Sequence, residues 1–205
     1  MNPSSIGWAY CDSYGNLCAK GKIPLLMGLP KGKQDGTIVT ACLAIARLAT
    51  QYACPVVGEE LDFSDKKEQL SERGRKYARM LSSWAYSRFK ELLFSILSNR
   101  GIELISVNPA YTSVIGLVKY ARMYGLASDE AAGLAIARRA MNKNERLPSA
   151  INAYLEVNSL KHGWHWWSKL NTLLKQSKVN RHTFYFIPNG ESLVTRLTAE
   201  AACSA

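Results

Sequence analysis

Glu59 and Asp129 are the residues whose type and setting could do chemistry in this chain. Glu59 closes an apolar run, Cys54-Pro55-Val56-Val57-Gly58, that has the length and composition of a buried strand. Asp129 opens a small-residue helix over residues 128–137 (SDEAAGLAIA). A carboxylate at a strand end facing a carboxylate at a helix start is how metal-dependent phosphodiesterases hold their ions. A complete site of that kind implies a third acid, and no residue stands out for the role. As plain structural residues, Glu59 would be a surface carboxylate and Asp129 a helix N-cap. Arg138 and Arg139 follow on the same helix, where they suit a backbone phosphate.

Bulk properties narrow the partners. The chain has 205 residues, 47% of them hydrophobic, which is ample for one large domain with or without an appendage. Lys and Arg number 26 against 16 Asp and Glu, for a formal charge of +10. Such an excess favours a polyanion, because each neutralised phosphate releases counterions. Its bland alternative is solubility alone. A membrane span would need about 18 consecutive apolar residues, and there is no such run. Residues 1–5 (MNPSS) lack the basic and apolar parts of a signal peptide, so the expected location is cytoplasmic. Five cysteines, Cys11, Cys18, Cys42, Cys54 and Cys203, contain no C-x-x-C pair. That spacing argues against a disulfide framework and a structural zinc site, leaving small buried apolar residues.

The elements that must position the acids follow from local patterns. Residues 6–11 (IGWAYC) and 17–25 flank turn chemistry at residues 12–16 (DSYGN), a hairpin signal. A polar loop at residues 28–36 (GLPKGKQDG) is one residue short of a phosphate-cradling P-loop and reads as a basic turn. Helical spacing then runs over residues 37–53, a strand over 54–61, a long helix over 69–99 and a short strand over 102–107. Further helices are predicted at 113–124, 128–141, 148–157 and 164–176, with Ser128 or Asp129 as N-cap of the second. Strands followed by crossover helices imply an α/β sheet with a parallel portion.

The segment Val107-Asn108-Pro109-Ala110-Tyr111-Thr112-Ser113 resembles the V-x-P-x-Y-T-S signature of TnpB/OrfB-type proteins of bacterial insertion sequences, RuvC-domain nucleases related to type V CRISPR effectors. Residues 56–61 (VVGEEL) are similar to that family's second RuvC motif. Residues 84–89 with Leu92 and Leu93 resemble its long helix, and residues 6–9 resemble the strand after its first motif. The resemblance covers roughly residues 1–141. It implies an RNase H-like (RuvC) mixed sheet flanked by helices over residues 1–144, while residues 145–205, where the pattern changes, read as a helical C-terminal extension of unknown role. It also implies Mg²⁺ bound by Glu59 and Asp129 as catalytic acids, with Glu130 as a substitute for Asp129, and DNA and a guide RNA as partners.

Two departures qualify the expectation. The family's first Asp lies on a central strand ending in G-I-D, expected just before Met1, so the chain reads as N-terminally truncated and inactive as a nuclease. The family's C-x-x-C zinc ribbon would follow Ser113, but Val114-Ile115-Gly116-Leu117 continues as apolar helix, so no zinc is expected. A catalytically dead nucleic-acid-binding module is the alternative reading. Without the central strand, the hairpin and the 54–61 strand would each lose a neighbour. Near the C-terminus, Trp164, Trp167, Leu170 and Leu174 form a helical stripe that reads as core. Trp166 falls off it beside Lys169, where it could stack on a base. His162 and His165 are too isolated for a metal site.

Overall fold

A computed structural model describes residues 5–25, 31–60, 83–155, 162–176 and 195. The first part of the predicted long helix (residues 69–82), Cys203 and most of the chain after residue 176 lie outside them. The protein is mixed α/β, as its alternating strand and helix patterns predict. β1 (Ser5–Cys11) and β2 (Leu17–Pro24) form an antiparallel hairpin, followed by α1 (Lys31–Tyr52). β3 (Val56–Glu59), α2 (Ser83–Ser98) and β4 (Leu104–Val107) come next, with β3 and β4 paired in parallel. The chain ends its described course in α3 (residues 112–124), α4 (Ser128–Ala140), α5 (Ser149–Leu155) and α6 (Gly163–Gln176). α1 starts six residues before the apolar pattern, inside the segment read as a loop, because its first turns lack the periodic apolar residues that announce a helix.

Local chemistry explains the hairpin. Asp12 accepts hydrogen bonds from the backbone N–H groups of Tyr14 (2.9 Å) and Asn16 (2.8 Å) and from the Asn16 side-chain amide (2.9 Å). These bonds, with the one from the Asn16 backbone foremost, hold its carboxyl below the ordinary value. Gly15 takes φ +83°, a conformation open to glycine at little steric cost.

Side-chain alternation along β1 then decides what covers each face. Ile6 and Trp8 pack toward α1, and the rings of Trp8 and Tyr10 meet Tyr52 at 6.2 and 4.3 Å. Gly7, Ala9 and Cys11 turn the other way, toward α4. A Cβ on Gly7 would lie 2.6 Å from the Asp129 carbonyl carbon and 2.7 Å from the Glu130 nitrogen, and one on Gly133 would lie 3.3 Å from the Ala9 nitrogen. α4 therefore rests on the β1 backbone itself. Its opposite side is equally close to α3, where a Cβ on Gly116 would lie 2.6 Å from Ala131.

Ile115, Leu126, Leu134, Leu147, Leu170 and Trp167 belong to one buried cluster, so described residues on both sides of the expected 144/145 boundary share a core. Ile38, Cys42, Ala46, Leu93 and Leu97 form a second cluster between α1 and α2. The four described cysteines are free thiols, and burial pushes Cys11 up to about 11 and Cys42 up to about 12. Among the described residues each sheet has two strands, and a cavity of about 350 Å³ lined by Trp8, Tyr10, Val57, Leu93 and Ile136 lies between β1 and β3.

The close α4–β1 contact yields a paired expectation. Gly7→Ala should destabilise the protein by about 1–3 kcal/mol through overpacking. Gly36→Ala, with nothing within 4 Å of the added methyl, should stabilise it by about 0.5–1 kcal/mol through helix propensity. Urea denaturation followed by circular dichroism measures both; equal stabilities for the two variants would refute the contact.

Candidate nucleic-acid interface

The parallel strands β3 and β4 end together, with Glu59 opposite Val107. Ligands of open α/β sheets collect outside such carboxyl ends. The segment that follows β4 is built to hold Glu59. Asn108 accepts the Ala110 N–H through its side chain (2.8 Å), closing a local turn. Tyr111 sits in the left-handed region at φ +62°, a costly conformation for a non-glycine residue that places Thr112 at the start of α3. The buried Thr112 hydroxyl donates to the Glu59 carboxylate and lies 3.1 Å from the Pro109 carbonyl. Tyr86 donates to the Glu59 carbonyl at 3.0 Å.

Arg139, in the last turn of α4, donates to the Asn108 carbonyl, and its charge interacts with Glu59. Burial pulls its guanidinium below the ordinary value, against the opposing pull of Glu59 and Glu145.

Asp129 is at the other end of α4. It accepts a hydrogen bond from the Ser5 hydroxyl (3.2 Å) and pairs with Lys22 (3.3 Å), while Glu130 pairs with Lys20 (3.5 Å). The helix cap differs from the expected Ser128 or Asp129. Ala127 is the capping position, and its N–H donates to the Glu130 carboxylate at 2.8 Å, so the side chain three residues on provides the bond. Ten residues separate Asp129 from Arg139, or about 15 Å at about 1.5 Å per residue. Glu59 and Asp129 each have a protein partner, Thr112 for Glu59 and Lys22 for Asp129. Among the described residues no group of three or more His, Cys, Asp or Glu could hold a metal ion.

Arg138 and Arg139, adjacent in sequence, have different surroundings. Arg138 donates to Glu145 (2.6 Å) and to the Gly15 carbonyl (2.5 Å), tying α4 to the hairpin turn. Lys119 and Tyr120 reach the same carboxylate at 2.5 Å each, both from residues 116–121, a π-helical turn inside α3. The Trp167 indole donates to the Glu145 carbonyl at 2.8 Å, bringing in α6. Burial alone would raise the Glu145 carboxyl, but the bonds from Lys119, Tyr120 and Arg138 outweigh it and hold it below its ordinary value. Burial, followed by Glu145, raises Tyr120.

Beside this hub opens a cleft of about 860 Å³ whose lining includes Arg139, Lys143, Arg146 and Trp164. Trp164 is 41% exposed, whereas Trp166 is 6% exposed, the reverse of what the helical stripe predicts. Trp166 and Trp167 both turn inward with Leu170 and Leu174. Trp164 lies in the first turn of α6, where its ring meets Tyr111 edge-on (6.5 Å, 84°) and the Arg139 guanidinium at 5.3 Å. The helical stripe ranks the two indoles the wrong way, because spacing within α6 does not reveal which of its residues the rest of the chain covers. No protein-family model, curated protein or solved structure matches the chain. No helix among the described residues is long and apolar enough to cross a membrane.

The Glu145 hub has a defined pH signature. A depressed folded-state value means its stabilisation is full above the unfolded value of about 4.5 and is lost as pH falls through the lower folded value. Glu145→Gln should cost about 3–5 kcal/mol at pH 7, since it leaves Lys119 and Arg138 without their anion. Urea melts from pH 7 to pH 3 should show the wild type converging on the variant at the acid end; parallel curves would remove Glu145 from its role.

Proposed function

We propose that the chain is a TnpB/OrfB-type insertion-sequence protein with an RNase H-like (RuvC) domain that binds nucleic acid and, in this form, does not cleave it. DNA is the primary partner, with a guide RNA as the second. Arg139 carries this reading: at the carboxyl end of the β3–β4 pair it stands beside Glu59 and opens onto a cleft with Lys143 and Arg146. Support for the fold comes from the element order, a hairpin followed by a parallel pair joined through a helix. The gap between β1 and β3 is where the family's central strand would run.

Support for inactivity comes from the partners that already engage the two acids. Glu59 is held by Thr112, and Asp129 by Ser5 and Lys22. Two-ion hydrolysis needs carboxylates converging on ions about 3.5–4 Å apart. The remaining chemistry is electrostatic grip on phosphates, for which a +10 chain is suited.

Binding and cleavage can be measured on one preparation. The purified protein should bind a fluorescent single-stranded oligonucleotide with log affinity falling about 2 units per decade of salt, at about 0.7 per phosphate for three cations. Addition of Mg²⁺ should produce no cleavage of single- or double-stranded DNA, and Glu59→Gln should leave binding within about two-fold. Mg²⁺-dependent cleavage that Glu59→Gln abolishes would overturn the non-cleaving assignment.

A further inference from the structure

Resting on the nucleic-acid reading above, we infer that the cleft between α4, α6 and residues 142–147 is a base-stacking subsite for single-stranded nucleic acid, with Trp164 as the platform. The observations are independent of the two acids. Trp164 is the exposed indole of α6, and it sits on the wall of a cleft large enough for a nucleotide. An indole stacks on any base, because every base has a π face.

Charge in the cleft has one sign. Arg139, Lys143 and Arg146 line it, and Arg146 is exposed. The carboxylate in the same lining, Glu145, is turned into the protein and bound by Lys119, Tyr120 and Arg138, with its side chain 6% exposed. Its charge is spent on those partners, so an incoming phosphate meets cations. A guanidinium carries five donors, of which the bond to Asn108 uses one for Arg139. Arg139 also lies 5.3 Å from the Trp164 ring centre, so one residue can face both the indole and a phosphate next to the stacked base.

Asn142, Asn144 and Asn152 add amide donors and acceptors to the lining. These suit base edges that are exposed in a single strand and paired in a duplex. An acidic peptide would use the cations, but it would leave the indole and the amides without a role.

Anisotropy titrations of the full chain with fluorescein-labelled dT15 and U15, and with a 15-base-pair duplex, test the subsite. Trp164→Ala should weaken binding to dT15, to U15 or to both by at least about ten-fold, with Trp164→Phe recovering most of the loss. The duplex should be indifferent to either substitution. Arg146→Gln, an exposed change, should lower the salt slope for the single strand by about 0.7. Thermal melts of each variant confirm that the fold is retained; should Trp164→Ala melt early, the Trp164→Phe and Arg146→Gln titrations still decide. Salt-dependent binding by the wild type that neither Trp164→Ala nor Arg146→Gln alters would overturn the subsite and leave the nucleic-acid reading standing. Absence of salt-dependent binding by the wild type would overturn both.

Discussion

The backbone-to-backbone contact of α4 with β1 is the constraint on which the rest of the structure depends. Gly7 and Ala9 present almost no side chain on that face of the strand, so the helix settles directly on it. A contact that close leaves little freedom to slide, since interiors are packed at crystal-like density. It therefore sets where both ends of α4 fall. One end delivers Asp129 to Ser5 and Lys22, and the other delivers Arg138 to the hairpin turn and Arg139 to the carboxyl end of β3 and β4.

Glu145 complements that contact by locking the helices to one another. One carboxylate gathers donors from α3 and α4, and its carbonyl receives the Trp167 indole of α6. A buried anion with three donors is strongly coupled to its surroundings, because removing it strands two cations. The hub also shapes the cleft beside it. By consuming Arg138 it leaves Arg139 as the cation of that pair facing the opening, and by turning inward it removes its own negative charge from the lining.

Much of this was legible along the chain. The hairpin was readable from Asp12, Gly15 and Asn16, whose turn chemistry acts over five residues. The parallel β3–β4 pair was readable from two short apolar runs joined through a helix. The 107–113 segment drew attention by its residues, and its role in the structure is to hold Glu59 through Thr112. Other features were silent because they depend on distant partners. Glu145 lies in a charged stretch that looks solvated, and nothing near it in sequence signals Lys119 or Tyr120. Helical spacing placed Trp164 on the core stripe and Trp166 off it, whereas tertiary packing exposes Trp164 and buries Trp166.

The sequence by itself determined the class of the protein, its elements and its electrostatic character, because propensity, turn chemistry and net charge are local or additive properties. Only the tertiary structure decided which charged residues stand together. Asp129 meets Lys22 from β2, Glu59 meets a threonine from α3, and two neighbouring arginines part company, one into a buried hub and one onto a cleft. The physical reason is geometric: a helix turns about 100° per residue, so adjacent side chains face different surroundings. What those surroundings contain is set by segments up to 124 residues away, as in the bond from Ser5 to Asp129.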